Sequence, residues 1–215
     1  MPVPLKIDFV SDISCPWCVI GLRALEQAIA RLDGQVAVDL HFQPFELNPQ
    51  MPPGGQDIDE HLQQKYGSTP EQAALVRERI RAAGAALGFT FSLQTRSRIY
   101  NTFDAHRLLH WAALEGRQLA LKQALFQAYF TDGEDPSSHQ VLIRAAARVG
   151  LDATRAAQIL DSNEFAAVVR KEQAFYRDQG IHAVPAVIIN NQHLIQGGQP
   201  VEVFEQALRQ IAGLA

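Results

Sequence analysis

The chain has 215 residues, 47% of them hydrophobic and 20% charged, so it can bury a core without disulfide or metal staples. A net charge of −4, with no run of five like charges, argues against a nucleic-acid partner or a charged interaction tail. Two cysteines in all, spaced C-x-x-C, are too few for a disulfide scaffold and point to redox or metal chemistry.

Residues Met1 to Asp8 show neither the apolar core nor the cleavage site of a leader, and no apolar run reaches the roughly 20 residues of a membrane helix. A cytoplasmic protein with no membrane partner is the expectation. Leu5, Ile7 and Phe9 alternate on one face of a first strand. A helix follows, with Cys15 at the N-cap and Pro16 at the first helical position; Leu22, Leu25, Ile29 and Leu32 form its apolar stripe, and Gly34 closes it. Val36, Val38, Leu40 and Phe42 then alternate with polar residues in a second strand.

From about Asp57 the period turns helical for over a hundred residues. Thr69-Pro70-Glu71-Gln72 is a capping-box start for a helix running to Gly88. Further helices are predicted near 99–115, 118–131, 137–149, 152–160 and 163–179, the last opened by Asp161 or Ser162. Two short strands, 186–189 and 193–196, flank Asn190-Asn191, which tolerate the positive φ of a tight hairpin. Pro200 starts a final helix. The order is β-α-β, a helical block, then α-β-β-α, with no linker setting the block apart.

The cysteines differ by helix phase. Cys18 lies on the stripe of Leu22, Leu25 and Ile29 and faces the core, whereas Cys15, at the helix mouth, is expected to face solvent. Unsatisfied N–H groups and the helix dipole there favour a thiolate. An exposed attacker and a shielded resolver are what thiol–disulfide exchange requires. A pair of structural buried thiols, or half a zinc site, are the alternatives. Zinc takes four ligands and no second pair is placed to complete the set, so no metal is expected. His106 and His110, four apart on a helix, read as polar-face or core-edge histidines. Asp12, three residues before Cys15, is a candidate proton relay or an ordinary loop cap. Val184-Pro185 precedes a strand and fits either a trans start or a retained cis bond.

Several segments carry a resemblance: Ser11 to Cys18 with Ile20-Gly21, Pro44 to Pro49, Asn101-Thr102 through Leu108, Ala124 to Phe130, Gly180 to Pro185, and Gly197 to Pro200. In this order the chain resembles the DsbA-like thioredoxin-fold oxidoreductases, and within them the cytoplasmic FrnE-type branch. The resemblance implies an α/β thioredoxin fold over 1–50 and 161–215, with an inserted helical subdomain over 51–160. It implies Cys15 as nucleophile, Cys18 as resolving thiol, and a cis Pro185 facing them. Pro16, Trp17, Val184 and Pro185 would contact substrate, with Val184 pairing through its backbone. By the same analogy Asn101 and His106 line a groove between the subdomains. The chain departs from the family pattern at Ala183, where Gly is usual, and at Gly198, where Ala is common. Ala183 therefore bears on whether that position needs a positive φ.

The resemblance implies a thiol–disulfide oxidoreductase acting on protein or small-molecule disulfides, with no bound cofactor and with glutathione as a redox partner or co-substrate. Its oligomeric state is not written in the sequence. One alternative is a glutathione-dependent isomerase or transferase of the kappa-class and hydroxychromene-carboxylate isomerase kind, which typically has Ser for the first Cys. A chaperone-like binding module is another. Trp17 brings no positive charge beside the thiolate, which predicts a weaker oxidant than relatives with His between the cysteines.

Overall fold

The computed structural model describes residues 1–92 and 97–214. Strand β1 (Val3–Ser11), helix α1 (Pro16–Arg31) and strand β2 (Val36–Pro44) form a parallel β-α-β unit with Val3 opposite Val36 and Ser11 opposite Pro44. At the other end, β5 (Ala186–Ile189), β6 (His193–Gln196) and α9 (Val201–Ile211) complete the sheet in the order β2-β1-β5-β6, with β5 antiparallel to both neighbours. This is the α/β thioredoxin arrangement with a helical insertion. Asn190 and Asn191 make the hairpin turn at φ 52° and 55°, as their tolerance of left-handed backbone predicted.

Leu5, Ile7 and Phe9 face one way from β1 and join Leu22, Leu25, Phe204 and Leu208 in the main core. Val10 faces the other way, against Tyr176 and Ile181. The strand's alternation thus does what its pattern predicted.

Between β2 and β5 the chain is helical: α2 (Ile58–Tyr66), α3 (Pro70–Ala86), α4 (Phe103–Leu114), α5 (Gln118–Phe126), α6 (His139–Arg148), α7 (Ala153–Leu160) and α8 (Ala166–Asp178). The capping box at Thr69 is formed in both directions: Gln72 N donates to Thr69 Oγ1, and Thr69 N donates to Gln72 Oε1. Three expectations change. A two-stranded ribbon, β3 (Gln56–Asp57) with β4 (Arg98–Ile99), interrupts the helical run, so α4 begins at Phe103 rather than near 99. The segment expected as one helix over 118–131 ends as a π-helical turn over Gln127–Thr131. Helix α8 starts at Ala166, after Phe165 at φ 61°, rather than near 163 behind Asp161 or Ser162. The cause is Arg107, only 4% exposed, whose guanidinium takes the carbonyls of Ile159, Ser162 and Glu164 and holds this stretch as a loop.

Helix α5 is clasped to the sheet by one side chain. Gln118 accepts from Phe42 N and donates to Phe42 O, each at 2.9 Å, covering part of the outer edge of β2. That clasp fixes the phase of α5, so Lys122, one turn on, is carried inward beneath Phe42.

Candidate active site

Cys15 caps α1 with extended backbone (φ −93°, ψ 110°), and Pro16 occupies the first turn, as the C-P-W-C spacing predicted. Both cysteines are free thiols, linked through the backbone by Cys18 N donating to Cys15 O at 3.1 Å. Cys18 is fully buried on the stripe of Leu22 and Leu25. Cys15 corrects an expectation: it is only 3% exposed, because Val184 closes over it. Its thiol donates to the Val184 carbonyl at 3.6 Å. The Val184–Pro185 bond is cis. Ala183 is not in the left-handed region, so the missing glycine costs the backbone nothing there.

Two glycines allow these walls to approach. A Cβ on Gly21 would stand 3.1 Å from Pro185 Cγ, and one on Gly198 would stand 3.0 Å from Trp17 O. The Gly197-Gly198 turn therefore lies directly against the first turn of α1.

Cys15, Pro16, Trp17 and Val184 lie along a groove of about 1000 Å³, whose far wall is the insertion. Its apolar lining includes Phe45, Leu47, Ile58, Leu62, Val76 and Ile80. Two of its cations are already engaged. Lys65 Nζ donates to Leu47 O and Asn48 Oδ1 at 2.8 and 2.7 Å, and Arg77 pairs with Asp59 at 2.5 Å.

Asp12 sits behind the dithiol, 1% exposed. It accepts from Ser14 N (3.3 Å), Ser14 Oγ (2.8 Å), Leu47 N (2.7 Å) and Thr102 Oγ1 (2.7 Å). Burial alone would raise its pKa, but the neighbouring His106, with the Leu47 N–H and the Thr102 hydroxyl, outweighs burial and brings it down to about 2. His106 Nε2 stands 3.4 Å from Asp12 Oδ1, close enough to act through charge although no aligned hydrogen bond joins them. A carboxylate so stabilised is a poor proton acceptor. Asp12 instead anchors the loop before Cys15 to the β2–α2 segment and to the start of α4.

His106 and Asn101 do not line the groove. His106 is 3% exposed and opens onto a separate cavity of about 160 Å³, whose lining also includes His41, His110, Gln118, Lys122 and Glu172. Asn101 turns its side chain to its own helix start and accepts from Phe103 N at 2.9 Å. Among the described residues, no three His, Cys, Asp or Glu converge as a metal site.

Sequence reasoning missed Lys122. It is 1% exposed, with its ammonium over the rings of Phe126 (5.0 Å) and Phe42 (5.8 Å). Burial pulls its pKa down to about 8, against the opposing pull of Cys18, Asp12 and Cys15. Burial and the adjacent Cys15 thiol raise Cys18 well above the usual thiol range, and Lys122 draws it partly back. One signal was available: Lys122 shares a helical stripe with Leu125 and Tyr129, where a lysine is out of place.

Among the described residues no helix is long and apolar enough to cross a membrane. The chain is similar over 97% of its length to a probable DsbA oxidoreductase from Streptomyces coelicolor, with 33% identity, a TM-score of 0.90 and 90% of that chain covered. It is 27% identical to the uncharacterized protein YwbO of Bacillus subtilis, covering 97% of this chain and 96% of that one. The cytosolic disulfide reductase DsbM of Pseudomonas aeruginosa, solved with GSH, shares the fold at 17% identity and a TM-score of 0.67, with 97% and 100% of the two chains covered. The model of the DSBA-like thioredoxin domain matches residues 6–209, and the chain belongs to that family.

Proposed function

We propose that the protein is a cytoplasmic thiol–disulfide oxidoreductase of the FrnE-type branch, working without a bound cofactor. One observation carries this reading: Cys15 lies at the groove beside Val184 and the cis Pro185, with Cys18 one helical turn behind it. The Cys15 thiolate attacks one sulfur of a substrate disulfide. A Cys15–substrate disulfide forms, and the other substrate sulfur leaves as a thiolate. Cys18 then attacks Cys15 Sγ, closing the Cys15–Cys18 disulfide and releasing the second substrate sulfur. Two electrons pass from the dithiol to the substrate, and the reverse sequence oxidises a substrate dithiol.

Pro16, Trp17 and Val184 form the substrate-facing wall, while Pro185 is buried beside Gly21. The Val184 carbonyl, which now accepts from Cys15, is released when that sulfur enters the mixed disulfide. The groove's apolar lining, and the internal engagement of Lys65 and Arg77, favour a polypeptide with apolar residues beside its cysteine. Glutathione is the smaller partner to compare, since a fold relative has been solved with GSH. Both thiols are present, where the isomerase branch typically has Ser first, which favours exchange over isomerase chemistry.

The test is reduction of an apolar peptide disulfide and of glutathione disulfide by the reduced protein. A faster reaction with the peptide, lost in Cys15→Ser, is expected. Activity that survives Cys15→Ser overturns the reading. Equilibration with glutathione then gives the potential, expected below that of relatives with His between the cysteines.

A further inference from the structure

A substrate joined to Cys15 through a disulfide has its own cysteine beside Val184, because the Cys15 sulfur lies 3.6 Å from the Val184 carbonyl. The chain just before that carbonyl is open. Among the described residues, the backbone N–H groups of His182, Ala183 and Val184 and the carbonyls of His182 and Ala183 make no hydrogen bond. All three residues line the groove, so this stretch is an unpaired edge to which an extended polypeptide can add.

The side chain that this edge offers is His182. The other basic side chains of the groove are committed: His61 Nδ1 is bonded to Gln56 Oε1 at 2.9 Å, Lys65 to Leu47 and Asn48, and Arg77 to Asp59. The groove's carboxylates are committed as well. Glu46 holds Arg170 and Gln173, Asp57 caps α2, and Asp59 holds Arg77. His182 is exposed and makes no hydrogen bond or ion pair among the described residues. An imidazole donor thus lies along the substrate path without an internal acceptor.

We infer that His182 selects polypeptides carrying a carboxylate side chain, Asp or Glu, two residues from the reacting cysteine. The inference rests on the exchange chemistry proposed above and names the substrate more closely. Paired strands advance residue for residue, so the substrate residue beside His182 is two positions from the one beside Val184. There the imidazole N–H donates to the carboxylate. The apolar residues Ile58, Leu62, Val76 and Ile80 come from α2 and α3 on the far wall, so the two preferences address different faces of one substrate strand.

The test uses peptide disulfides of one apolar sequence that differ only in having Glu, Gln or Lys two residues before or after the cysteine. Glutathione disulfide and its ethyl ester run beside them, because glutathione also carries carboxylates near its sulfur. The reduced protein should react with one Glu peptide about three- to fivefold faster than with its Gln twin, and most slowly with the Lys peptide. His182→Gln should bring the Glu-to-Gln ratio to one, and His182→Glu should turn the preference over to Lys. The ratio within a twin pair cancels any change in the amount of active protein or in Cys15 reactivity.

A wild type that reduces the Glu, Gln and Lys peptides alike overturns the inference, as does a Glu preference that persists in His182→Gln. A preference for glutathione disulfide over its ester, with a flat peptide series, also overturns it, because the carboxylate recognised would then be glutathione's. Should the variants fail to fold, the wild-type series decides. A wild type that reduces none of these disulfides sinks the exchange reading instead, which keeps the two failures distinct.

Discussion

The groove beside Cys15 and the inner cavity share no lining residue and are furnished with opposite chemistry. The groove presents Phe45, Leu47, Ile58 and Val76, and two of its cations are tied up internally. The cavity presents three histidines, a lysine and a glutamate. One turn of α1 serves both sides, with Cys15 toward the groove and Cys18 toward the interior. Helix phase gives the sulfurs different directions, while the insertion gives them different chemistry. Its helices α2 and α3 wall the groove, and α4 and α5 supply His106 and Lys122.

The strongest way to break this contrast is to remove the groove-side sulfur. Cys15→Ser should lower disulfide reduction by at least about 100-fold, read as turnover of an apolar peptide disulfide. Next comes the anchor between the two regions. Asp12→Ala leaves the Ser14, Leu47 and Thr102 donors buried without an acceptor and should cost about 3 to 5 kcal/mol in urea unfolding.

The same residue sets a pH dependence. Its folded pKa, about 2, lies below the ordinary 3.8, so its contribution is present above about pH 4 and is lost as pH falls toward 2. That shift corresponds to about 2 kcal/mol, so the stability gap between wild type and Asp12→Asn should narrow across that window.

Lys122 should behave in the opposite sense. Its folded pKa, about 8, is depressed from 10.5, so burying the ammonium opposes folding below pH 8, and that cost disappears as pH rises toward 10.5. Lys122→Met is expected to stabilise the protein by about 2 to 3 kcal/mol at neutral pH. The gain should shrink on the alkaline side. The smallest effect sharpens the groove wall. Gly21→Ala drives a Cβ against Pro185, and after the helix-propensity gain it should cost about 1 kcal/mol in thermal unfolding.

What the sequence revealed was local. The stripe through Cys18, Leu22 and Leu25, the alternation in β1 and β2, the Thr69 capping box and the Asn190-Asn191 hairpin each lie within a dozen residues, where periodicity and turn chemistry act directly. What it concealed was made by distant partners. Asp12 meets Thr102 and Leu47, Gln118 clasps Phe42, and Arg107 gathers carbonyls beyond residue 158, relocating the start of α8. Cys15 was expected in the open, because helix phase cannot register a wall contributed by Val184 from the far end of the chain. Lys122 was legible only as a lysine on an apolar stripe, and its burial against Phe42 and Phe126 depends on tertiary packing.

The central claim is that the two sulfurs have separate tasks, Cys15 meeting substrate and Cys18 releasing it. Peptide mapping by mass spectrometry, after reaction of Cys18→Ala with an apolar peptide disulfide, tests it most directly. The account predicts a stable adduct on Cys15, and an adduct on Cys15→Ser that forms at least about 100-fold more slowly. Comparable adducts on Cys15 and Cys18 in the two variants would contradict it.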